Sequence, residues 1–183
     1  MPDCASASIV IGGRVSADDF VTLCRLIADE GLCTEEDGEE FSPELRIESQ
    51  PLRLFDHQAI GGRFGSLEAW CEYRGIPFTR TCAGYPGAWR AERVVFTGRS
   101  PIEEYPADED GNAVATRKTV EAHEHISTLR AWFAAAEFEV PPLVVIVGDE
   151  TSPGTITRAS SGQEESEGGD GEHCSQLQKG SAT

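Results

Sequence analysis

The chain has 183 residues, 39% of them apolar and 26% charged, with a formal net charge of −17. A chain of this length can bury a sizeable core without metal or disulfide staples. So acidic a balance argues against direct contact with nucleic acid or anionic membranes, both of which need a positive footprint, and no apolar run approaches the roughly 18 residues of a membrane span.

The opening "MPDCASASIVIGG" carries an acidic residue and no basic n-region, so a cytoplasmic protein is expected, and its six cysteines should stay reduced. The run "SIVIGGRV" (8–15) reads as a strand broken by Gly12 and Gly13. "SADDFVTLCRLIADEGL" follows with a capping signature, Ser16 and Asp19. It carries Phe20, Leu23, Cys24 and Ile27 on one helical face and Gly31 as a stop. After the acidic loop "TEEDGEEFSPE" come two short predicted strands, "LRIES" and "LRLFD", parted by Gln50 and Pro51. Ser66 can cap the helix "LEAWCEYR", which ends at Gly75 and places Cys71 at helical spacing with Leu67 and Trp70, so that Cys71, like Cys24, reads as a small buried hydrophobe. "IPFTRTC" and "ERVVFTG" read as a hairpin joined by "AGYPGAW".

Beyond the polar stretch "SPIEEYPADEDGN", apolar Ala122, Ile126, Leu129, Phe133 and Ala136 repeat at helical spacing, which predicts one helix over about 116–137 with Phe133 in the core. Pro141 and Pro142 stop it, and "LVVIV" reads as a strand covered on both faces. From 148 to 183 the chain is rich in Gly, Ser and Glu and is expected to form a disordered acidic tail behind a compact 1–147 domain. The fold class is therefore α+β: a single domain with a mixed sheet of about six short strands and three helices packed mainly on one face.

His123 and His125 in "TVEAHEHISTL" invite a metal-site reading. On a continuous helix, residues two apart diverge by about 200° and cannot chelate one ion, so no metal is expected there, and His125 should border the core near Trp132. "GGRVSADDF" and "GGRFGSLEAW" place glycines before helices but match neither nucleotide-binding fingerprint, so they read as tight turns and no cofactor is implied. Thirteen of the 15 basic residues are arginine, the usage of a GC-rich bacterial coding sequence.

Charge is concentrated. Eight carboxylates and no base lie between Asp29 and Glu44, whereas residues 46–99 carry eight arginines against five acids. "EEDGEE" lacks the ligand spacing of an EF-hand loop. The acidic loop, through Glu35, Glu36, Asp37, Glu39 and Glu40, and the aromatic tip Tyr85 and Trp89 are the candidate contacts to another protein, one with a basic surface that normally holds nucleic acid; the alternative for the tip is that its rings fold back over the sheet edge, as apolar burial usually wins for tryptophan. A second hypothesis is a small hydrolase or transferase whose site lies near His57, with Asp56, Arg80, Tyr85 and Glu92 as neighbours.

The stretch from Leu52 to Phe96, "LRLFDHQAIGGRFGSLEAWCEYRGIPFTR" followed by "ERVVF", resembles a group of small acidic bacterial proteins, some carried on plasmids or other mobile DNA. The resemblance implies a compact cytoplasmic α+β domain and transfers no site residues. Together with the charge, it makes a non-enzymatic protein-interaction module the leading expectation.

Overall fold

The computed structural model describes residues 4–35, 38–85, 87, 89–99 and 101–146. Alternation of small and apolar residues organises the centre: in β1 (Cys4–Ile11), Ala5, Ala7, Ile9 and Ile11 are buried while Ser6 is exposed and Ser8 and Val10 are half-buried. β1 pairs antiparallel on one side with β3 (Leu52–Ile60) and on the other with β4 (Phe78–Cys82). The sheet continues through β5 (Glu92–Phe96) to β6 (Glu103–Pro106), giving an antiparallel order β3-β1-β4-β5-β6. A bulge between Ala5 and Ala7 sets Gln58 and His57 opposite Ser6.

After Gly12 the chain leaves this sheet as β2 (Gly13–Ser16), which pairs in parallel with β7 (Leu143–Ile146). Gly12 is obligatory at the junction, because a Cβ there would lie 1.8 Å from the Pro141 carbonyl oxygen.

α1 (Ala17–Glu30) begins where the sequence places it, with Asp19 N–H donating to Ser16 Oγ at 3.1 Å, and it ends at Gly31 with φ of 68°. α2 (Gly65–Arg74) has no hydroxyl cap: Phe64 is its N-cap residue, and the Phe64 N–H donates to Glu68 Oε1 at 2.8 Å. These two helices close one face of the main sheet, where Leu23, Ile27, Leu67 and Cys71 pack with Ile9, Ile11, Leu54 and Phe78. α4 (Ile126–Ala136) lies on the other face, at the β5–β6 end, where Ala136 and Trp132 meet Val95 and Tyr105. The α+β class holds. The helices divide between the faces, with α1 and α2 together on one side.

Several local expectations are corrected. Residues 45–49 form no strand; Pro43–Leu45 is a single 3₁₀ turn, and Ile47 is 63% exposed. Glu103–Pro106, read as polar loop, is strand β6, an edge whose exposed acids conceal its one buried apolar side chain, Tyr105. "LVVIV" supplies an edge strand paired with β2 alone among the described residues, with Val144 46% exposed, instead of a strand covered on both faces.

The long third helix is two: α3 (Arg117–Ala122), capped by Thr116, and α4, separated by residues 123–125 with His123 and His125 in extended conformation. Ile126 is 66% exposed and Ala122 is exposed, so the front of the apolar stripe has no surface to cover and nothing holds the helix continuous. Phe133 is only half-buried, against the edge of Trp132 at 4.9 Å between ring centres, and His125 is exposed as the N-cap of α4. The opposite-faces argument about the histidines therefore falls away. The expected tail, 148–183, lies outside the described residues.

Candidate functional site

The residues named for a site around His57 are divided by the sheet. Arg80 sits in register with Ile9 and Val94, and its side chain enters the helix-covered face, 1% exposed. There it donates through Nη1 to the Gly62 carbonyl at 2.7 Å and through Nη2 to Glu92 Oε1 at 2.7 Å. Its Nε lies 3.0 Å from Glu68 Oε1, yet the N–H has no aligned acceptor, so that contact is an ion pair and not a hydrogen bond. Burial alone would lower the Arg80 pKa, and Glu68 and Glu92 outweigh it and raise it, so the guanidinium stays charged. Arg63 extends the network to Glu92 at 3.9 Å and Glu104 at 3.8 Å.

His57 stands on the opposite side, exposed, its Nδ1 3.4 Å from the Ser6 hydroxyl. Asp56 turns onto its own strand, accepting from the Gln58 N–H at 2.8 Å. Tyr85 is in the β4–β5 loop, where it exchanges backbone hydrogen bonds with Trp89 and stacks on it at 5.2 Å. Arg80 and Glu92 thus come together, and His57, Asp56 and Tyr85 do not join them.

The aromatic tip folds back. Trp89 packs against the main core and donates from Nε1 to the Ala83 carbonyl at 3.2 Å, leaving Tyr85, 43% exposed, as its outer layer. The acidic loop is held to the sheet edge by Cys33, which bridges to Phe55 of β3 and to Glu40. Glu35, Glu39 and Glu40 are exposed there, and no ion pair among the described residues involves them. Glu36 and Asp37 lie outside the described residues. Among the described residues no group of three or more His, Cys, Asp or Glu side chains could hold a metal. Three thiols are held in their protonated form: burial raises Cys24 and Cys82, and pushes Cys71 up to about 12.

Sequence reasoning missed a groove of about 710 Å³ on the sheet face opposite α1 and α2. α4 covers only the β5–β6 end of that face, so a row of Phe55, Ser8, Thr81 and Arg93, one residue from each of four neighbouring strands, remains as the floor. One wall is the turn 108–112. Asp108 shapes it by accepting from the Asp110 and Asn112 backbone N–H groups at 3.0 and 2.8 Å, and Gly111, at φ of 80°, lets the backbone close on Thr81. The other wall is the chain leaving α4, residues 137–140. Alternating polar residues in β1 and β4, "SASIV" and "FTRTC", were the available signal, since hydroxyls facing away from a core mark a face that apolar side chains do not cover. No family model, no curated protein and no solved structure matches the chain.

Proposed function

We propose that the chain is a non-enzymatic binding protein whose acidic segment engages a partner protein with a basic surface, of the kind that otherwise holds nucleic-acid phosphates. The observation that carries this reading is the placement of Glu35, Glu39 and Glu40: exposed, outside every ion pair among the described residues, and fixed to the edge of β3 through Cys33. Carboxylates kept for solubility need no such anchoring, whereas a charge pattern that must match a partner gains from being held in register. The division of His57 from Arg80 and Glu92 by the sheet weighs against the hydrolase reading, because proton transfer requires hydrogen-bond reach.

The test is affinity capture of the partner by wild type and by the triple variant Glu35→Lys, Glu39→Lys, Glu40→Lys. Wild type should retain it at about 50 mM salt and release it by about 0.5 M, as screening shortens the reach of exposed charges. The triple variant, which changes only exposed side chains, should retain nothing. Capture that survives both high salt and charge reversal would exclude this surface.

A further inference from the structure

The groove across β3, β1, β4 and β5 stands independently of the acidic loop, and its charges have an unusual distribution. Arg93 and Arg53 reach it from β5 and β3, and no carboxylate among the described residues forms an ion pair with either. Arg93 is oriented by a 2.7 Å hydrogen bond from its Nε to the Ala136 carbonyl at the end of α4, which leaves the terminal nitrogens as donors. It is half-buried, and desolvation lowers its pKa, opposed by Glu137 and reinforced by Arg53, so the two guanidiniums share one field. Between them lies the hydroxyl pair Ser8 and Thr81, 2.8 Å apart, with one proton still to donate. Acids stand on both walls: Glu109 and Asp110 on one, Glu137 and Glu139 on the other.

We infer that this groove binds a small zwitterion of the amino-acid class, its carboxylate received by Arg93 and Arg53 and its ammonium by the acidic walls. A groove of about 710 Å³ is within the range of small-molecule sites. Phe55 and Val10 give its floor an apolar portion for the ligand's side chain. Phosphates and nucleotides fit less well, because a chain of net charge −17 with acids on both walls repels a polyanion while a zwitterion meets no net repulsion. The arginines alone would suit any anion and the acids alone any cation; only a ligand with both charges engages the whole groove.

The experiment is isothermal titration of the full chain at low ionic strength with each proteinogenic L-amino acid in turn. For each that binds, its decarboxylated amine and its deaminated acid are titrated as well. At least one amino acid should bind saturably, and both of its one-charge analogues should bind about tenfold more weakly or worse, the loss expected for one charge-assisted contact. Arg53→Gln removes an exposed edge-strand side chain and leaves the core untouched, and it should weaken binding by about tenfold; Arg93→Gln, if it folds, should do at least as much. The Glu35, Glu39, Glu40 triple variant should bind as wild type does, which separates this site from the partner surface. The inference is overturned if no amino acid binds more tightly than about 10 mM. It is equally overturned if either one-charge analogue equals its parent, or if Arg53→Gln leaves the affinity unchanged.

Discussion

Arg80 would be among the most damaging side chains to remove, because its charge offsets two carboxylates that are themselves largely withdrawn from water: the Glu68 and Glu92 side chains are 14% and 25% exposed. Arg80→Met should cost about 3–5 kcal/mol in urea denaturation, since breaking a buried pair strands the partner charges. Adding Glu68→Gln and Glu92→Gln to it should recover part of that loss, and a triple variant no more stable than Arg80→Met would show that packing and not charge sets the cost. Sequence alone named Arg80 and Glu92 as neighbours, but only as accessories to His57. Nothing in single residue types reveals that a strand arginine turns inward, because the choice depends on Glu68 arriving from α2. Asp19 makes a pH prediction at the same scale. Partial burial would raise its carboxyl, but the Arg74 hydrogen bond at 2.6 Å, the Ser16 contacts and the Arg74 charge outweigh it and hold it low. A lowered folded value means stability that is present above the unfolded pKa and lost as pH falls through the folded one. Asp19→Asn should therefore be less stable than wild type at pH 7, with the gap closing as the pH drops below about 3.9. A gap that stays constant down to pH 2 would refute the assignment.

Elements were legible where local signals and tertiary burial agreed. α1 shows this: capping residues, apolar face and glycine stop all lie where the pattern puts them, with Leu23 and Ile27 fully buried. The segment 116–137 shows the converse, since its period is helical but the residues carrying it, Ala122 and Ile126, face water. Leu23→Ala should accordingly cost about 2–5 kcal/mol, and Ile126→Ala no more than about 0.5 kcal/mol. Equal losses in thermal melts would mean that α3 and α4 pack as the continuous helix the spacing suggests. Strand β6 went unread because two of its four side chains are exposed glutamates, and the groove because it is assembled from four strands that only pairing brings into one row. Gly12 offers a further check on the junction of the two sheets. Gly12→Ala drives a methyl into the Pro141 carbonyl, and its cost should exceed the usual 1–3 kcal/mol or so of overpacking, with backbone amides of 143–146 losing hydrogen-exchange protection first.

For the molecule as a whole, net charge decides how salt acts. The exposed ion pairs, such as Arg117 with Glu121 at 2.7 Å, are worth only about 0–1 kcal/mol each and lose little when screened. The pairs of Arg80 with Glu68 and Glu92 are largely withdrawn from water, so screening weakens them much less than it weakens exposed charges. Against these stands the mutual repulsion of a chain with 32 acids and 15 bases, which opposes compaction over distances comparable to the Debye length. With 17 more acids than bases, screening is expected to relieve more repulsion than it removes attraction. Raising sodium chloride from about 20 mM to about 0.5 M should therefore raise the melting temperature, while over the same interval a basic partner should be released, because its attraction is screened by the same ions. Stability and binding thus respond to salt with opposite signs. The Glu35, Glu39, Glu40 lysine variant, with six fewer units of negative charge, should melt higher at low salt and gain less from added salt. A wild-type melting temperature that falls with salt would place its stability in exposed ion pairs instead, and with it the acidic loop would lose its character as unpaired charge held for a partner.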